Sequence, residues 1–217
     1  MFVTSNYKLG FIHIPRTGGT SVVTAFSAAE NGYDAKQVCR THAIYKEYIQ
    51  SQPQQWFATI RHPGARLHSG YYYQLEQDRR RIMGMLPMKS DLTAEFLQKR
   101  IELFEIYGFE QTIVSHDFNE QYRWLKQQYQ ITSLNVLEQM QSICDYINGC
   151  KNILLFDIET QSQELFNWIK STLPEINILH VNQKRHRINW KQEMTDKLTE
   201  YIVDKYKDDL EKFGYKL

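Results

Sequence analysis

Residues Phe11–Ser21 read Phe-Ile-His-Ile-Pro-Arg-Thr-Gly-Gly-Thr-Ser, an apolar segment that runs into a turn rich in glycine and hydroxyl side chains. The next residues, with Val22, Val23 and Phe26, have the spacing of an amphipathic helix. The pattern therefore predicts a buried strand, a tight turn and the first turn of a helix. A helix start offers backbone N–H groups without intrahelical partners and the positive end of the helix dipole, which together favour an anion. We predict a phosphate- or sulfate-binding site at this turn.

The side chains of the turn suit an anionic ligand. Gly18 and Gly19 let the backbone approach the anion closely, and Arg16 adds a planar, forked positive charge. Further donors are the hydroxyls of Thr17, Thr20 and Ser21. A glycine pair between a strand and a helix is also common as a plain tight connection, and this alternative stays open for the turn taken alone.

Strands and helices alternate along the rest of the chain. Apolar runs predict a first strand at 8–14 and two further buried strands at Trp56–Ile60 and Asn152–Phe156. Helices are predicted at about 19–30, from Pro63 onward, at 92–105, 118–128, 134–147 and Gln161–Leu173, and along one C-terminal face from Leu198 to Phe213. The segment from Asp78 to Asp91 is predicted to be an exposed loop. This alternation predicts an α/β fold, with a mostly parallel central sheet flanked by helices, in a single domain over residues 1–217.

Net charge, cysteine content and hydropathy limit the classes of protein to which the chain can belong. The net charge is +1 over 217 residues, which argues against a general nucleic-acid binder. The cysteines Cys39, Cys144 and Cys150 have no CxxC spacing, and no His-Glu-x-x-His sequence occurs, so we expect neither a disulfide framework nor a metal site. No apolar run reaches the roughly 18 residues of a membrane span, and residues 1–10 lack the features of a signal peptide. We expect a soluble, cytoplasmic protein.

A second signature follows the second predicted strand. Residues Arg61–Tyr71 read Arg-His-Pro-Gly-Ala-Arg-Leu-His-Ser-Gly-Tyr, in which Arg61 and Ser69 straddle a strand-to-helix turn. Together with the glycine turn, this signature resembles the sulfotransferases that use 3′-phosphoadenosine 5′-phosphosulfate (PAPS). The similarity is greatest to the carbohydrate type, which includes heparan 2-O- and chondroitin sulfotransferases and their bacterial relatives. The resemblance implies a P-loop-like fold, PAPS as co-substrate, no metal, and a hydroxyl-bearing acceptor such as a glycan or glycoside.

The resemblance also implies which residues bind PAPS. The first family loop holds the 5′-phosphosulfate, which here corresponds to Arg16–Ser21, and an Arg/Ser pair holds the 3′-phosphate, here Arg61 and Ser69. A late family loop, His-Val-Asn followed by basic residues, is similar to His180–Asn182 followed by Lys184 and Arg185. This similarity implies that the two basic side chains contact the 3′-phosphate or the adenosine.

Two histidines are candidates for the general base. His42 lies in a segment that resembles the family's histidine-containing segment after the first helix, and it is the first candidate. His116 begins a segment, through Leu125, that resembles the family's H-x-F-x-x-Q-x-x-[WF]-L element, and it is the second candidate, with acceptor binding as its alternative role. The chain departs from the family at His62, where Asp or Asn is usual, and at Arg16, where Lys is common.

The chemistry of these residue types agrees with the resemblance. Sulfuryl transfer is an in-line displacement in which a protein positions groups and stabilises charge, as in phosphoryl transfer. Arg16 is placed to neutralise charge on the bridging oxygen of the leaving group. A hydroxyl acceptor needs a base, and the ordinary pKa of histidine lies near neutrality.

Other residues have a structural interpretation. We expect Arg66 to pair with a carboxylate and His13 to pack in the core. Arg79–Arg81 are expected to place favourable charge at a helix C-terminus, with a patch for an anionic acceptor as the alternative.

Two other functions remain open at this point. A P-loop kinase is disfavoured because no Gly-Lys-[Ser/Thr] sequence occurs and because Asp157 is the only candidate for a Mg²⁺-holding acid at a strand end. A non-catalytic nucleotide- or glycan-binding module would keep the phosphate loops without turnover.

Overall fold

The computed structural model describes residues 2–3, 9–27, 36–37, 53–174 and 189–217. The chain divides into two compact units. The first, here the sheet unit, comprises Met1–His62 and Gln141–Arg185. The second, the helical unit, comprises Pro63–Met140 and His186–Leu217.

The described residues of the sheet unit form one five-stranded sheet. Its strands are β1 (Phe2–Val3), β2 (Leu9–Ile12), β3 (Lys36–Gln37), β4 (Gln55–Ile60) and β5 (Ile153–Asp157), in the spatial order β3-β1-β2-β4-β5. Strands β2, β4 and β5 are parallel, whereas β1 is antiparallel to both of its neighbours. Four of these five strands therefore point in the same direction, which confirms the predicted α/β class with a mostly parallel sheet.

Eight α-helices lie among the described residues. They are α1 (Gly19–Ser27), α2 (Pro63–Ile82), α3 (Ala94–Val114), α4 (His116–Gln128), α5 (Ile143–Ile147), α6 (Ser162–Thr172), α7 (Asp196–Lys205) and α8 (Lys207–Phe213), with a 3₁₀ turn at Trp190–Glu193. In the sheet unit, α1 and α6 contribute Phe26 and Leu165 to a core built around Phe11 and Phe57. Strand β4 is buried from Trp56 to Ile60, as expected for a parallel strand covered on both faces.

The helical unit has its own core. The predicted apolar line of α2, Leu67, Tyr71 and Leu75, is buried in it together with Phe104 of α3. The phenol of Tyr71 donates a hydrogen bond to the Phe104 carbonyl at 2.9 Å. Burial raises the pKa of this phenol to about 12, so Tyr71 is a neutral donor at physiological pH.

Two structural predictions for buried polar residues are confirmed. His13 is 8% exposed and stacks on Phe11, with 5.6 Å between the ring centroids. Arg66 pairs with the carboxylate of Asp209 on α8, at 3.7 Å from Nη1 to Oδ2, and both side chains are buried.

The predictions for four segments are wrong. The helix predicted at 92–105 continues to Val114 as α3. Helix α2 continues through Asp78 to Ile82, because the Asp78 side chain is an ion-pair partner inside the core rather than a loop residue. Most of 134–147 is not helical: Asn135 and Glu138 close a turn by exchanging backbone-to-side-chain hydrogen bonds of 2.7 and 2.8 Å, and only α5 follows. The C-terminal helix is two helices, with a break at Tyr206, whose hydroxyl donates to the Met140 carbonyl at 3.0 Å.

Candidate functional site

Three loops meet at one edge of the sheet. Because β2, β4 and β5 are parallel neighbours, the loops that follow them leave from the same, carboxyl-terminal edge. The loop after β2 is the glycine turn, the loop after β4 begins with Arg61, and the loop after β5 begins with Ile158. The Ile158 N–H donates to the Ile60 carbonyl at 3.0 Å, which holds the last two loops together. In open α/β sheets this edge is where ligands bind.

The glycine turn is held to the sheet by Thr17. Its buried hydroxyl donates to the Ile14 carbonyl at 2.9 Å and lies 2.9 Å from the hydroxyl of Thr59 on β4. The hydroxyl proton of Thr17 is therefore donated within the turn. The Ile14 carbonyl thus competes for this proton with the anion that the sequence analysis predicted as its partner. Arg16, with a φ of 64°, and Gly18, with a φ of 81°, have left-handed backbone conformations on either side of Thr17.

Steric contacts explain both glycines. A Cβ atom at Gly18 would lie 2.7 Å from Ile158 Cγ1, and one at Gly19 would lie 2.4 Å from His13 Cδ2. Close packing of the turn against the β5 loop and against β2 therefore requires glycine at both positions. Gly18 is exposed, so the backbone just before α1 is accessible to a ligand, whereas Gly19 itself is buried.

The N-terminus of α1 carries no opposing charge. The helix begins at Gly19, and its first turn contains no acidic side chain. The side chain of Thr20 is exposed, and that of Ser21 is partly exposed. The N–H groups of this first turn, the two hydroxyls and the helix dipole together suit an anion.

Arg61 already has an anionic partner. Its Nε and Nη2 atoms each donate to Glu159 Oε1 at 3.2 Å, and the two side chains are 26% and 33% exposed. Glu159 is held in the loop after β5 by its own N–H, which donates to Asp157 Oδ1 at 2.8 Å. Sequence reasoning did not single out Glu159. The available signal was its position three residues after the end of the predicted strand Asn152–Phe156.

The other predicted site residues fall into two groups. Ser69, on α2, and His116, the first residue of α4, belong to the helical unit. The His116 side chain is 86% exposed, with Nδ1 3.8 Å from Glu120 Oε2. His42, Lys184 and Arg185 lie outside the described residues.

A cavity of about 470 Å³ opens beside His116 within the helical unit. This volume lies in the range of small-molecule sites, which span about 300–1,000 Å³. Its wall combines apolar side chains such as Leu67 and Phe118 with polar ones such as Asn119 and Thr112. The Thr112 hydroxyl is buried and has no hydrogen-bond partner within the part of the chain that the structure describes. This hydroxyl oxygen is not accessible from the cavity, so the polar groups that a ligand could reach there belong to side chains such as Asn119 and His116.

The described residues contain neither a cluster of metal ligands nor a membrane-spanning helix. No group of three or more His, Cys, Asp or Glu side chains is arranged to hold a metal ion. No helix among these residues is long and apolar enough to cross a membrane.

We predict that Gly18→Ala destabilises the protein more than Gly84→Ala. Both glycines have positive φ, 81° and 71°, so both variants carry the cost of a left-handed alanine, about 1–2 kcal/mol. Only Gly18→Ala also meets Ile158, which adds an overpacking cost of about 1–3 kcal/mol. Urea unfolding measures both changes. In an Ile158→Ala background the excess cost of Gly18→Ala should vanish, and an excess that persists there would assign it to another contact.

Comparison with known proteins agrees with this architecture. The family model described as Sulfotransferase family matches residues 1–216. The chain therefore belongs to the sulfotransferase family, whose members transfer a sulfuryl group and whose fold is P-loop-like. Searches of curated proteins and of solved structures gave no match.

Proposed function

We propose that this protein transfers a sulfuryl group from PAPS to a hydroxyl group of a carbohydrate acceptor. The observation that carries the proposal is the meeting of the glycine turn, at the start of α1, and Arg61 at one edge of the sheet, in a chain of the sulfotransferase family. The family membership supports sulfuryl transfer in general. The donor, the acceptor and the residue roles below are our inference from the sequence resemblance and the geometry of the site.

The donor site follows from the charges at the sheet edge. The 5′-phosphosulfate is assigned to the glycine turn, where the first turn of α1 contains no acidic residue. The residues assigned to it are Arg16, Thr17, Gly18, Gly19, Thr20 and Ser21. The 3′-phosphate is assigned to Arg61 with Ser69, and Lys184 and Arg185 are assigned to the 3′-phosphate or the adenosine. A phosphate would replace Glu159 as the anionic partner of Arg61.

The proposed reaction is an in-line displacement at sulfur. The acceptor oxygen forms a bond to sulfur while the bond from sulfur to the bridging oxygen breaks, and 3′,5′-adenosine bisphosphate leaves. Arg16 and the N–H groups of α1 stabilise the charge that develops on the bridging oxygen. The proton of the acceptor hydroxyl passes to a histidine, with His42 the first candidate and His116 the second. The sulfuryl group carries less charge than a terminal phosphoryl group, so the proposed mechanism uses no metal ion.

The acceptor is proposed to be a glycan or glycoside. A cavity of about 470 Å³ with the Asn119 amide and the imidazole of His116 in its wall has the size and polarity for a sugar. Partnership with nucleic acid is not proposed, because the chain has a net charge of only +1. The proposal treats residues 1–217 as one functional domain of a cytoplasmic protein, since the sequence gives no reason to expect a disulfide framework.

The first test compares two nucleotides by isothermal titration. We expect micromolar binding of 3′,5′-adenosine bisphosphate and little binding of ADP with Mg²⁺. Preference for ADP with Mg²⁺ would contradict the proposal and favour the kinase-like alternative.

The second test is transfer of labelled sulfate from PAPS to a panel of glycans. The variants His42→Ala and His116→Ala are compared with each other. Both should bind 3′,5′-adenosine bisphosphate as the wild type does, so a difference in turnover between them identifies the base. Loss of the base should lower turnover by about 10²-fold or more. Unchanged turnover in both variants would remove histidine from the role of base, and no transfer to any acceptor would favour a non-catalytic binding module.

A further inference from the structure

Exposed apolar side chains are concentrated in the connection between α2 and α3. Residues 79–89, here the methionine loop, read Arg-Arg-Arg-Ile-Met-Gly-Met-Leu-Pro-Met-Lys. The exposed fractions are 38% for Ile82, 63% for Met83, 64% for Met85 and 41% for Met88. Contiguous exposed apolar groups on a folded protein mark a surface that contacts a partner or a membrane.

The backbone holds these side chains in a defined turn. The Met85 N–H donates to the Arg80 carbonyl at 2.8 Å, and the Gly84 N–H donates to the Arg81 carbonyl at 3.0 Å. With a φ of 71° at Gly84, this is the Schellman ending of a helix. The hydrophobic contact that often accompanies the motif would join Met85 to residue 80 or 79, but both are arginines, and Met85 instead points to solvent.

The loop is also strongly basic. It contains three arginines, one lysine and no carboxylate. Arg79 pairs with Glu105, and Arg81 lies 4.0 Å from Asp78. No carboxylate of the described residues lies within ion-pair distance of Arg80 or Lys89. Lys89 lies close enough to Asp91 to help hold the pKa of that carboxyl below its usual range, so its charge is partly compensated. The exposed methionines are therefore flanked by four positive charges, of which that of Arg80 has no carboxylate partner among the described residues.

The combination fits a lipid surface better than a protein or a soluble glycan. A stable protein interface buries about 800 Å² on each partner, which is more than one short loop offers. A soluble anionic glycan would use the arginines and leave the methionines in water. An anionic bilayer surface uses both, because a few apolar side chains enter the acyl boundary while Lys and Arg meet the headgroups. Methionine, unbranched and flexible, suits that disordered environment.

We propose that the methionine loop attaches the protein peripherally to membranes that contain anionic phospholipid. Met83 and Met85 enter the acyl boundary, and Arg80 and Lys89 bind the phosphate groups. This attachment is independent of the proposed sulfuryl transfer. It would bring the enzyme to acceptors that are themselves held at a membrane.

The test is co-sedimentation of the full chain with vesicles. Vesicles of phosphatidylcholine with about 30% phosphatidylglycerol should bind the protein, and pure phosphatidylcholine vesicles should bind it far less. Met83→Gln/Met85→Gln should weaken binding by at least about tenfold, through lost apolar burial. Arg80→Gln/Lys89→Gln should weaken it by a similar factor and remove the preference for anionic lipid. Val203→Gln/Leu217→Gln, which removes exposed apolar groups outside the loop, should bind like the wild type.

A second readout separates insertion from charge attraction. Trp fluorescence of Met85→Trp should be quenched by brominated lipid, whereas Val203→Trp should gain no quenching over the wild type. The proposal is overturned if the methionine variant binds vesicles normally. It is also overturned if the protein self-associates without lipid and the methionine variant does not. A third contradicting outcome is that the protein binds dextran sulfate as tightly as it binds vesicles and that the methionine changes leave this binding unaltered. Bisphosphate affinity, measured on the same variants, should not change, so failure of either proposal is distinguishable from failure of the other.

Discussion

Replacing Asp78 by alanine should lower the free energy of unfolding by about 3–5 kcal/mol, the range for breaking a buried ion pair. The Asp78 carboxylate accepts hydrogen bonds from Arg100 Nε at 2.8 Å and from Nη2 at 2.7 Å, and both residues are buried. Gln74 donates a further hydrogen bond to Asp78 at 2.9 Å. Alanine at position 78 would leave the guanidinium of Arg100 buried without its counter-charge.

The control is the neighbouring surface pair of the same two helices. Arg79 and Glu105 join α2 to α3 but are 45% and 49% exposed, so Glu105→Ala should cost no more than about 1 kcal/mol. Urea unfolding of the two variants gives the comparison. The double variant Asp78→Leu/Arg100→Met should recover much of the loss, because it removes both buried charges. Equal losses for Asp78→Ala and Glu105→Ala would show that burial of the pair does not determine its contribution.

The second large effect concerns recognition of the 3′-phosphate. Arg61→Ala should weaken binding of 3′,5′-adenosine bisphosphate by about 10- to 100-fold, the range for losing charged hydrogen bonds. Binding of AMP, which lacks the 3′-phosphate, should barely change. Isothermal titration with both nucleotides measures this difference. An equal loss for the two would place Arg61 outside the 3′-phosphate site.

Glu159→Gln should have the opposite effect. In the structure this carboxylate occupies the Nε and Nη2 donors that the 3′-phosphate is proposed to use. Removing its charge should therefore tighten bisphosphate binding without tightening AMP binding. Glu164→Gln, which neutralises another exposed carboxylate of the sheet unit, is the matched control. If both glutamine variants tighten binding equally, the gain comes from the general potential and not from release of Arg61.

The sequence correctly predicted those strands and helices that are marked by the apolar spacing or the end residues of their own segment. Strand β4 is a continuous apolar run, and Pro63 begins α2 as expected for proline at a first helical position. The two-residue strands β1 and β3 were missed, because pairs of residues such as Lys36 and Gln37 carry no periodicity. The turn at Asn135 was predicted as helix, because its hydrogen bonds to Glu138 depend on side-chain geometry that apolar spacing does not report.

In the candidate site, too, the sequence predicted residues that belong to local motifs but not the partners that the fold brings to them. The glycine turn and Arg61 were identified from motifs, and their meeting at one sheet edge follows from parallel strand order. Glu159 was not identified, because a partner 98 residues away along the chain is defined only by the fold. The partner of Arg66 was expected to be a carboxylate, but only the structure identifies it as Asp209.

The left-handed backbone of Arg16 sets a limit on engineering this protein. At a φ of 64°, any residue with a side chain is disfavoured by about 1–2 kcal/mol relative to glycine. Considered from this backbone cost alone, a selection for thermal resistance would favour glycine at position 16 and remove the guanidinium that we propose contacts the 5′-phosphosulfate. The proposed catalytic role of Arg16 and the stability of the turn therefore make opposite demands on this residue, so engineered libraries for thermal stability should keep arginine at position 16 and vary other positions.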